Sequence, residues 1–152
     1  MKTERRTAVK KIVASTIGLA GLGIATEAKA EQPTPSEVFH FNGAPLLSLS
    51  KRYENIVFLS GRGGYGAEPR TIENHTKICL DLLEEELIKV GSSMNKVLQT
   101  TMLIDDMANL DGLNATCKGR FGANPPARTV LAVEKGGIPG NSLVEIDCVA
   151  YI

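Results

Sequence analysis

The pattern of apolar and polar residues is most regular in the last stretch of the chain, residues 124–152. Two sets of side chains alternate there: Val144, Ile146, Cys148, Ala150 and Ile152, and between them Leu143, Glu145, Asp147, Val149 and Tyr151. Because successive side chains of a strand point to opposite faces, this period of two predicts a strand with one face in a core. The other face carries two carboxylates, each of which needs solvent or a specific partner.

A second strand is predicted just before this one, beginning at Arg128. Pro125 and Pro126 end any preceding helix and restrict the backbone where the strand begins. A Gly/Pro-rich loop joins the two strands, so Arg128, Glu145 and Asp147 can face a common surface. These three side chains are therefore the first candidates for chemistry.

The first half of the domain is predicted to begin with strands. Residues 38–41 and 46–49 flank Asn42-Gly43, which is typical of a hairpin turn. Residues 55–60 are continuously apolar, which predicts a strand buried on both faces. The glycine-rich segment 61–66 lacks the spacing of a phosphate-binding loop, so we interpret it as a connector where backbone can approach a ligand or a neighbouring subunit.

Two helices are predicted on either side of a central strand. Residues 71–90 have helical spacing and end before Gly91, with the acids Glu84, Glu85 and Glu86 mostly on a solvated outer side. Residues 96–104 are rich in β-branched side chains and predict the central strand. Asp105-Asp106 can cap a second helix that runs from Met107 to about Phe121.

This order of elements predicts a two-layer α+β domain, in which a mixed sheet has both helices on one face. The sheet face that the helices leave uncovered needs another partner. The mixture of apolar and acidic side chains on the last strand favours contact with another subunit there.

The first thirty residues have the three parts of a secretory signal peptide: a basic start, an apolar run and the small-x-small sequence Ala28-Lys29-Ala30. Arg5-Arg6, followed by two apolar positions and a lysine, is similar to the twin-arginine export motif. We therefore predict a leader at residues 1–30 that is removed after Ala30, a linker at 31–37 and one folded domain at 38–152. General secretion and an uncleaved membrane anchor remain the alternatives. The product is expected in the periplasm or otherwise exported, without stable membrane association.

Charge argues against nucleic acid as a partner. The leader holds six of the 17 Lys/Arg and two of the 17 Asp/Glu, which leaves eleven basic and fifteen acidic residues in the rest. An acidic domain has no electrostatic attraction for a phosphate backbone. Cys79, Cys117 and Cys148 are scattered, and the two histidines are far apart, so neither a metal site nor a disulfide framework is indicated.

Several motifs in register resemble the RidA (YjgF/YER057c/UK114) family over roughly residues 39–151. The segments that carry the resemblance are 56–61 (IVFLSG), 97–107 (VLQTTMLIDDM), 113–116 (LNAT), 126–129 (PART) and 144–150 (VEIDCVA). The resemblance implies a chorismate-mutase-like fold, a homotrimer with a central β-barrel and ligand sites in the clefts between subunits. It also implies hydrolysis of 2-imino acids or their enamine tautomers to 2-keto acids and ammonia, without a metal or organic cofactor.

The resemblance also implies roles for individual residues. Arg128 matches the arginine that binds the substrate carboxylate, and a guanidinium suits that task because it can bind both oxygens. Glu145 matches the acid that orients water and moves protons, and Asp147 is the alternative two residues on. The remaining substrate-binding positions are backbone or polar groups at Val130, Ser60, Gly61 and Asn114.

The chain departs from common members at two positions, with Leu46 in place of a tyrosine and Val130 in place of a cysteine, and Arg62 adds a positive charge beside the glycines. These departures favour, as an alternative, a noncatalytic trimer that binds small carboxylates. An endoribonuclease is a third hypothesis that follows only from an older family label. Arg128 and Glu145 could instead form ion pairs at the surface or between subunits.

The leader generates the first prediction. Replacing both Arg5 and Arg6 by Lys should block export if the twin-arginine route is used, because that route reads the arginine pair itself. Fractionation of cells expressing the tagged protein should then show the unprocessed form inside, whereas a Lys10→Arg control is exported and shortened. Unchanged export of the double variant would indicate the general route.

Overall fold

The computed structural model describes residues 32–152, so the predicted leader lies outside the described residues. Six strands form one mixed sheet in the order β1-β4-β5-β8-β6-β7, and two more form a separate hairpin. The strands are β1 (Thr34–Pro35), β2 (Val38–Phe41), β3 (Ala44–Ser48), β4 (Ser50–Tyr53), β5 (Ile56–Gly63), β6 (Val97–Ile104), β7 (Ala127–Ala132) and β8 (Val144–Tyr151). Among the strands of residues 32–152, only β6 and β7 pair in parallel. Within residues 32–152, no helix is long and apolar enough to cross a membrane.

The two helices, α1 (Ile72–Lys89) and α2 (Leu110–Cys117), pack on one face of this sheet, which confirms the predicted two-layer α+β arrangement. The Thr71 hydroxyl caps α1 by accepting a hydrogen bond from the Asn74 N–H, and Gly91 follows the helix with φ +84°. The predicted end of the second helix at Phe121 was wrong. Lys118 already has an extended backbone and Gly119 has φ +78°, so α2 ends four residues earlier.

β8 lies at the centre of the sheet, paired antiparallel with β5 on one side and β6 on the other. Its alternation is confirmed, because Val144, Ile146, Cys148 and Ala150 are buried against the helices. The core also includes side chains from β5, β6 and both helices: Val57, Leu59, Cys79, Leu80, Leu83, Leu87, Met102, Ile104 and Leu113. Cys79, Cys117 and Cys148 are buried and free.

The opposite sheet face, which we call the open face, carries Phe58, Glu145, Asp147, Val149 and Tyr151. The prediction that residues 55–60 are buried on both faces was wrong, because the Phe58 side chain is 51% exposed. A continuous apolar run does not distinguish a strand buried between two layers from one whose second face has no cover within its own chain.

The hairpin of β2 and β3 is confirmed. Asn42 and Gly43 have φ of 51° and 79°, the left-handed pair that a tight hairpin turn requires. β4 was not predicted, since its sequence Ser-Lys-Arg-Tyr is mostly polar, and its burial pattern shows why: only Ser50 is buried.

One acid of the Glu84–Glu86 run is buried, contrary to prediction. The Glu86 side chain is 3% exposed and accepts hydrogen bonds from the hydroxyls of Ser36, at 2.7 Å, and Ser50, at 2.8 Å. Arg62 Nη2 lies 3.6 Å from Glu86 Oε2, and Lys89 Nζ lies 3.8 Å from it. Burial alone would raise the pKa of Glu86, but these hydroxyls and cations outweigh it, so the pKa lies below the ordinary 4.5.

Glu86→Gln should therefore lower the free energy of unfolding at pH 7 by about 1–3 kcal/mol, because Arg62 loses its buried counter-charge. A carboxyl with a lowered folded pKa stabilises the fold above its unfolded pKa. The stabilisation is lost as pH falls from about 4.5 through the folded value. Urea unfolding of wild type and variant between pH 7 and pH 3 measures this, with the exposed Glu85→Gln as control. A difference that does not shrink in acid would contradict it.

Candidate functional site

Arg128 lies on β7, the strand at the end of the six-stranded sheet, in register with Thr100 on β6. Its side chain lines a cavity of about 750 Å³ between α2, the following loop and the end of the sheet. The residues around the cavity are Thr100, Asn114, Ala115, Cys117, Lys118, Gly119, Phe121, Gly122, Pro125, Pro126 and Arg128. The cavity therefore combines a largely apolar wall with two cationic side chains.

Two buried polar atoms face this cavity without a partner among the described residues: the Thr100 hydroxyl and Oδ1 of Asn114. Thr100 is completely buried, and a buried polar group left without a hydrogen bond costs about 1–3 kcal/mol. A ligand or water in the cavity can satisfy both atoms. The arrangement suits a small anion with further polar groups, with the anion on Arg128.

Cys117 also lines the cavity, at 9% exposure. Burial raises the pKa of its thiol, and the nearby Arg128 and Arg120 offset this only in part. Burial raises the pKa of Cys79 and of Cys148 further, to about 12. All three are therefore thiols rather than thiolates at neutral pH, and none is an activated nucleophile.

Glu145 lies on the open face, in register with Leu103 of β6 and Gly63 of β5. Its carboxylate crosses over Gly61, where a Cβ would overlap Oε1. The sheet has a bulge between Leu59 and Arg62, so that Ser60 and Gly61 together oppose Asp147, two residues after this acid. A side chain at Gly61 would therefore displace the carboxylate, and the bulge brings backbone groups of Ser60 and Gly61 next to it.

The other predicted site residues have structural partners. The Ser60 hydroxyl donates to the Ser48 carbonyl at 2.6 Å, and one Asp147 oxygen accepts from the Thr101 N–H at 3.3 Å. Val130 is half-buried and packs against the core. Arg62, the additional cation beside the glycines, points to the helix side and pairs with Glu86.

Within a single chain, Arg128 and Glu145 lie on opposite faces of the sheet. Arg128 shares its register with Thr100 on the helix side, whereas Glu145 is in register with Leu103 on the open face. The described chain therefore brings Arg128 together with Asn114, and Glu145 together with Ser60 and Gly61, but does not bring the two groups together.

Sequence reasoning missed one side chain beside Glu145. The Tyr65 ring lies over Gly63, where a Cβ would come within 2.7 Å of ring carbons, and Gly63 is in register with Glu145. The segment 61–66 is thus no simple connector: Gly61 and Gly63 belong to β5. The run of glycines was the available signal, because glycine in a strand indicates close approach by another group.

The model of the family described as Endoribonuclease L-PSP matches residues 44–152, most of the chain. The chain belongs to the RidA (YjgF/YER057c/UK114) family. The matched region includes every predicted site residue and begins just after the Asn42-Gly43 turn. Among residues 32–152, no three His, Cys, Asp or Glu side chains are grouped to bind a metal ion.

Named relatives agree with this family assignment. The chain is 32% identical over 110 residues to Reactive Intermediate Deaminase A of Arabidopsis thaliana chloroplasts, covering 69% of this chain and 58% of that protein. It is 30% identical over 104 residues to a RutC family protein of Pyrococcus horikoshii, covering 64% of this chain and 79% of the relative.

Solved structures of the family share the fold. A protein described as an endoribonuclease L-PSP from Entamoeba histolytica superposes with a TM-score of 0.67 at 27% identity, over 80% of this chain and all of the other. A YjgF/YER057c/UK114 family member from Mycobacterium tuberculosis gives 0.63 at 25%, over 70% and 86%. The fold prediction, a mixed sheet with two helices of the chorismate-mutase-like type, is thereby confirmed.

The cavity generates a prediction about thiol reactivity. Cys117 should react with Ellman's reagent faster than Cys79 and Cys148 in the native protein, because only Cys117 among them lines the cavity. Pyruvate or 2-ketobutyrate bound at Arg128 should slow that reaction. Cys117→Ser should remove the fast phase and Cys79→Ser should not. Equal rates for all three thiols, with or without keto acid, would contradict the assignment.

Proposed function

We propose that the protein hydrolyses 2-imino acids, or their enamine tautomers, to 2-keto acids and ammonia. The observation that carries the proposal is the Arg128 guanidinium in a cavity with two unpartnered polar groups. Family membership and the relative named Reactive Intermediate Deaminase A support it. The substrates we propose are small 2-imino acids, of the 2-iminobutanoate and 2-iminopropanoate type.

Arg128 is proposed to bind the substrate carboxylate. Its planar guanidinium can donate to both carboxylate oxygens and so fix the plane of the imine relative to the protein. Lys118 lines the same cavity and adds positive charge. The substrate's polar groups can also reach the Asn114 oxygen and the Thr100 hydroxyl, which have no hydrogen-bond partner among residues 32–152.

Glu145 is proposed as the general base and acid. Water adds to the imine carbon while its proton passes to the carboxylate, and that proton then moves to nitrogen. The resulting tetrahedral adduct collapses to the keto acid as Glu145 takes the proton of its hydroxyl and passes it to nitrogen, the C–N bond breaks and ammonia leaves. Hydrolysis consumes one water, and none of these steps needs an oxidant or a cofactor. Backbone groups of Gly61 and around Val130 supply fixed dipoles for the substrate's polar atoms.

The opposite orientations of Arg128 and Glu145 lead to the proposed assembly. We propose a homotrimer with a central β-barrel, in which Arg128 of one subunit and Glu145 of its neighbour line one cleft. Two features of the chain support contact there: β7 ends the sheet, and the open face exposes apolar side chains such as Phe58 and Tyr151. Closed cyclic symmetry would place three equivalent sites in the trimer.

A noncatalytic carboxylate-binding protein is the alternative. It is favoured by one observation: the cavity groups, Arg128, Thr100 and Asn114, lie together without any acid among the cavity-lining residues. Endoribonuclease chemistry has less support. His75 is buried and its pKa is lowered, chiefly by that burial, so it is neutral at pH 7 and faces the core rather than a substrate.

The proposed place of action is outside the cytoplasm, in line with the pattern of the leader. It has no bearing on the chemistry of residues 38–152, which can be measured on protein without residues 1–30.

Arg128→Ala should lower kcat/KM for imine hydrolysis by about 100-fold or more, because the substrate loses its charged anchor. Arg128→Lys should restore only part of this activity, and the exposed Arg52→Ala serves as control.

Glu145→Gln should lower kcat by about 100-fold or more with little change in KM, whereas Asp147→Asn should leave kcat unchanged. Keto acid release from imines made by an amino-acid oxidase measures the activity of all five variants. Wild-type protein that binds 2-ketobutyrate without speeding hydrolysis would favour the noncatalytic alternative.

Mixing Arg128→Ala and Glu145→Gln chains tests whether the site is shared. In a cyclic trimer refolded from an equal mixture, about one quarter of the clefts would combine a subunit with intact Arg128 and a neighbour with intact Glu145. Activity should therefore return to about a quarter of wild type. No recovery in mixed trimers, verified by mass spectrometry, would mean that the two residues do not meet across a subunit boundary.

A further inference from the structure

Tyr65 is held in a fixed position on the face that carries Glu145. Its ring covers Gly63, and a Cβ at Gly63 would lie 2.7 Å from two ring carbons and 3.0 Å from the hydroxyl oxygen. On another side the ring packs against Gly140, where a Cβ would overlap it. Two glycines therefore form a niche that fits the ring.

The same strand places Glu145 next to this ring. Gly61 and Gly63 are two residues apart on β5, so their missing side chains point to the same face. The Glu145 carboxylate occupies the space over Gly61, and Tyr65 occupies the space over Gly63, the register partner of Glu145. The Glu145 carboxylate and the Tyr65 phenol therefore lie next to each other, over the backbone of Gly61 and Gly63.

The Tyr65 side chain is not buried in the core of its own chain. Half of its surface, 51%, is exposed, and no hydrogen bond to its hydroxyl occurs among residues 32–152. Burial of the remainder raises the pKa of Tyr65, and the negative charge of Glu145 raises it further, with Arg62 opposing. The phenol therefore keeps its proton at neutral pH and can donate a hydrogen bond.

The chemistry of the proposed reaction leaves one hydrogen-bonding role without a residue. Arg128 takes the substrate carboxylate, and an ionised Glu145 can only accept. The imine nitrogen, the hydroxyl of the adduct and the oxygen of the keto acid product are acceptors at the same carbon, and a neutral donor beside Glu145 suits them.

We propose that Tyr65 is a substrate-contacting residue whose hydroxyl donates a hydrogen bond to the group at C2 of the 2-imino or 2-keto acid. This inference rests on the proposed function, since it places the reacting carbon near Glu145. The phenol keeps its proton throughout, so no bond to Tyr65 forms or breaks. The ring makes Tyr65 a determinant of selectivity for acids with an acceptor at C2.

The test compares two ligands that differ only at C2. Tyr65→Phe keeps the ring and removes the hydroxyl, so the dissociation constant of 2-ketobutyrate should rise about 3- to 10-fold, the usual worth of one neutral hydrogen bond. The dissociation constant of butyrate, which has the carboxylate and chain but no C2 oxygen, should not change. The Tyr53→Phe variant, which removes the hydroxyl of another exposed tyrosine, should leave both constants unchanged.

The chain offers a direct optical readout, because it has three tyrosines and no tryptophan. Saturable quenching of tyrosine emission by 2-ketobutyrate should persist in Tyr53→Phe and disappear in Tyr65→Phe. With imines as substrates, Tyr65→Phe should lower kcat/KM by a similar 3- to 10-fold.

The outcomes separate this inference from the proposed function. If Arg128→Ala abolishes imine hydrolysis but Tyr65→Phe matches wild type in both assays, the inference is overturned and the function stands. If wild-type protein catalyses nothing, yet Tyr65→Phe selectively weakens 2-ketobutyrate, the function fails and the contact stands. An equal loss of 2-ketobutyrate and butyrate affinity, or no binding of 2-ketobutyrate to wild type, would also overturn the inference.

Discussion

The placement of β8 between β5 and β6 is the constraint on which the rest of the structure depends. Its core face, Val144 to Ala150, buries apolar side chains against α1, which fixes the strand's orientation about its own axis. A slip of one residue would turn this apolar set outwards and drive Glu145 and Asp147 into the core. The hydrophobic core therefore determines that both acids reach the open face.

Asp147 and Glu145 share the open face, but they make different contacts because different residues lie next to them. Asp147 accepts a hydrogen bond from the N–H of Thr101, its register partner on β6, and so helps to hold the two strands together. Glu145 instead lies over Gly61 on β5, where no side chain separates its carboxylate from the backbone. The same contrast separates Arg62, paired with a buried carboxylate, from Arg128, which faces a cavity.

Elements whose signals are local could be predicted from the sequence. The alternation of β8, the end of α1 before Gly91 and the Asn42-Gly43 turn each depend on residues within one element. Glu86 could not be assigned to the interior, because Ser36, Ser50 and Arg62 approach it from three other segments. Arg128 and Glu145 lie on opposite sheet faces because of the register in which β7 and β8 pair with β6. The residue pattern of neither strand specifies that register. Tyr65 was missed because its position depends on Gly140, 75 residues away.

Gly61 and Gly63 lie beneath Glu145 and Tyr65, and their lack of a side chain affects which substitutions this face of the sheet tolerates. A side chain at Gly61 would displace the Glu145 carboxylate, and one at Gly63 would displace the Tyr65 ring, so enlarging either position changes a neighbouring side chain as well. For the proposed site, changes in ligand preference are therefore expected to arise at Tyr65, or at residues that lie opposite it, rather than at the two glycines. Libraries aimed at altered selectivity should keep both glycines and randomise the tyrosine.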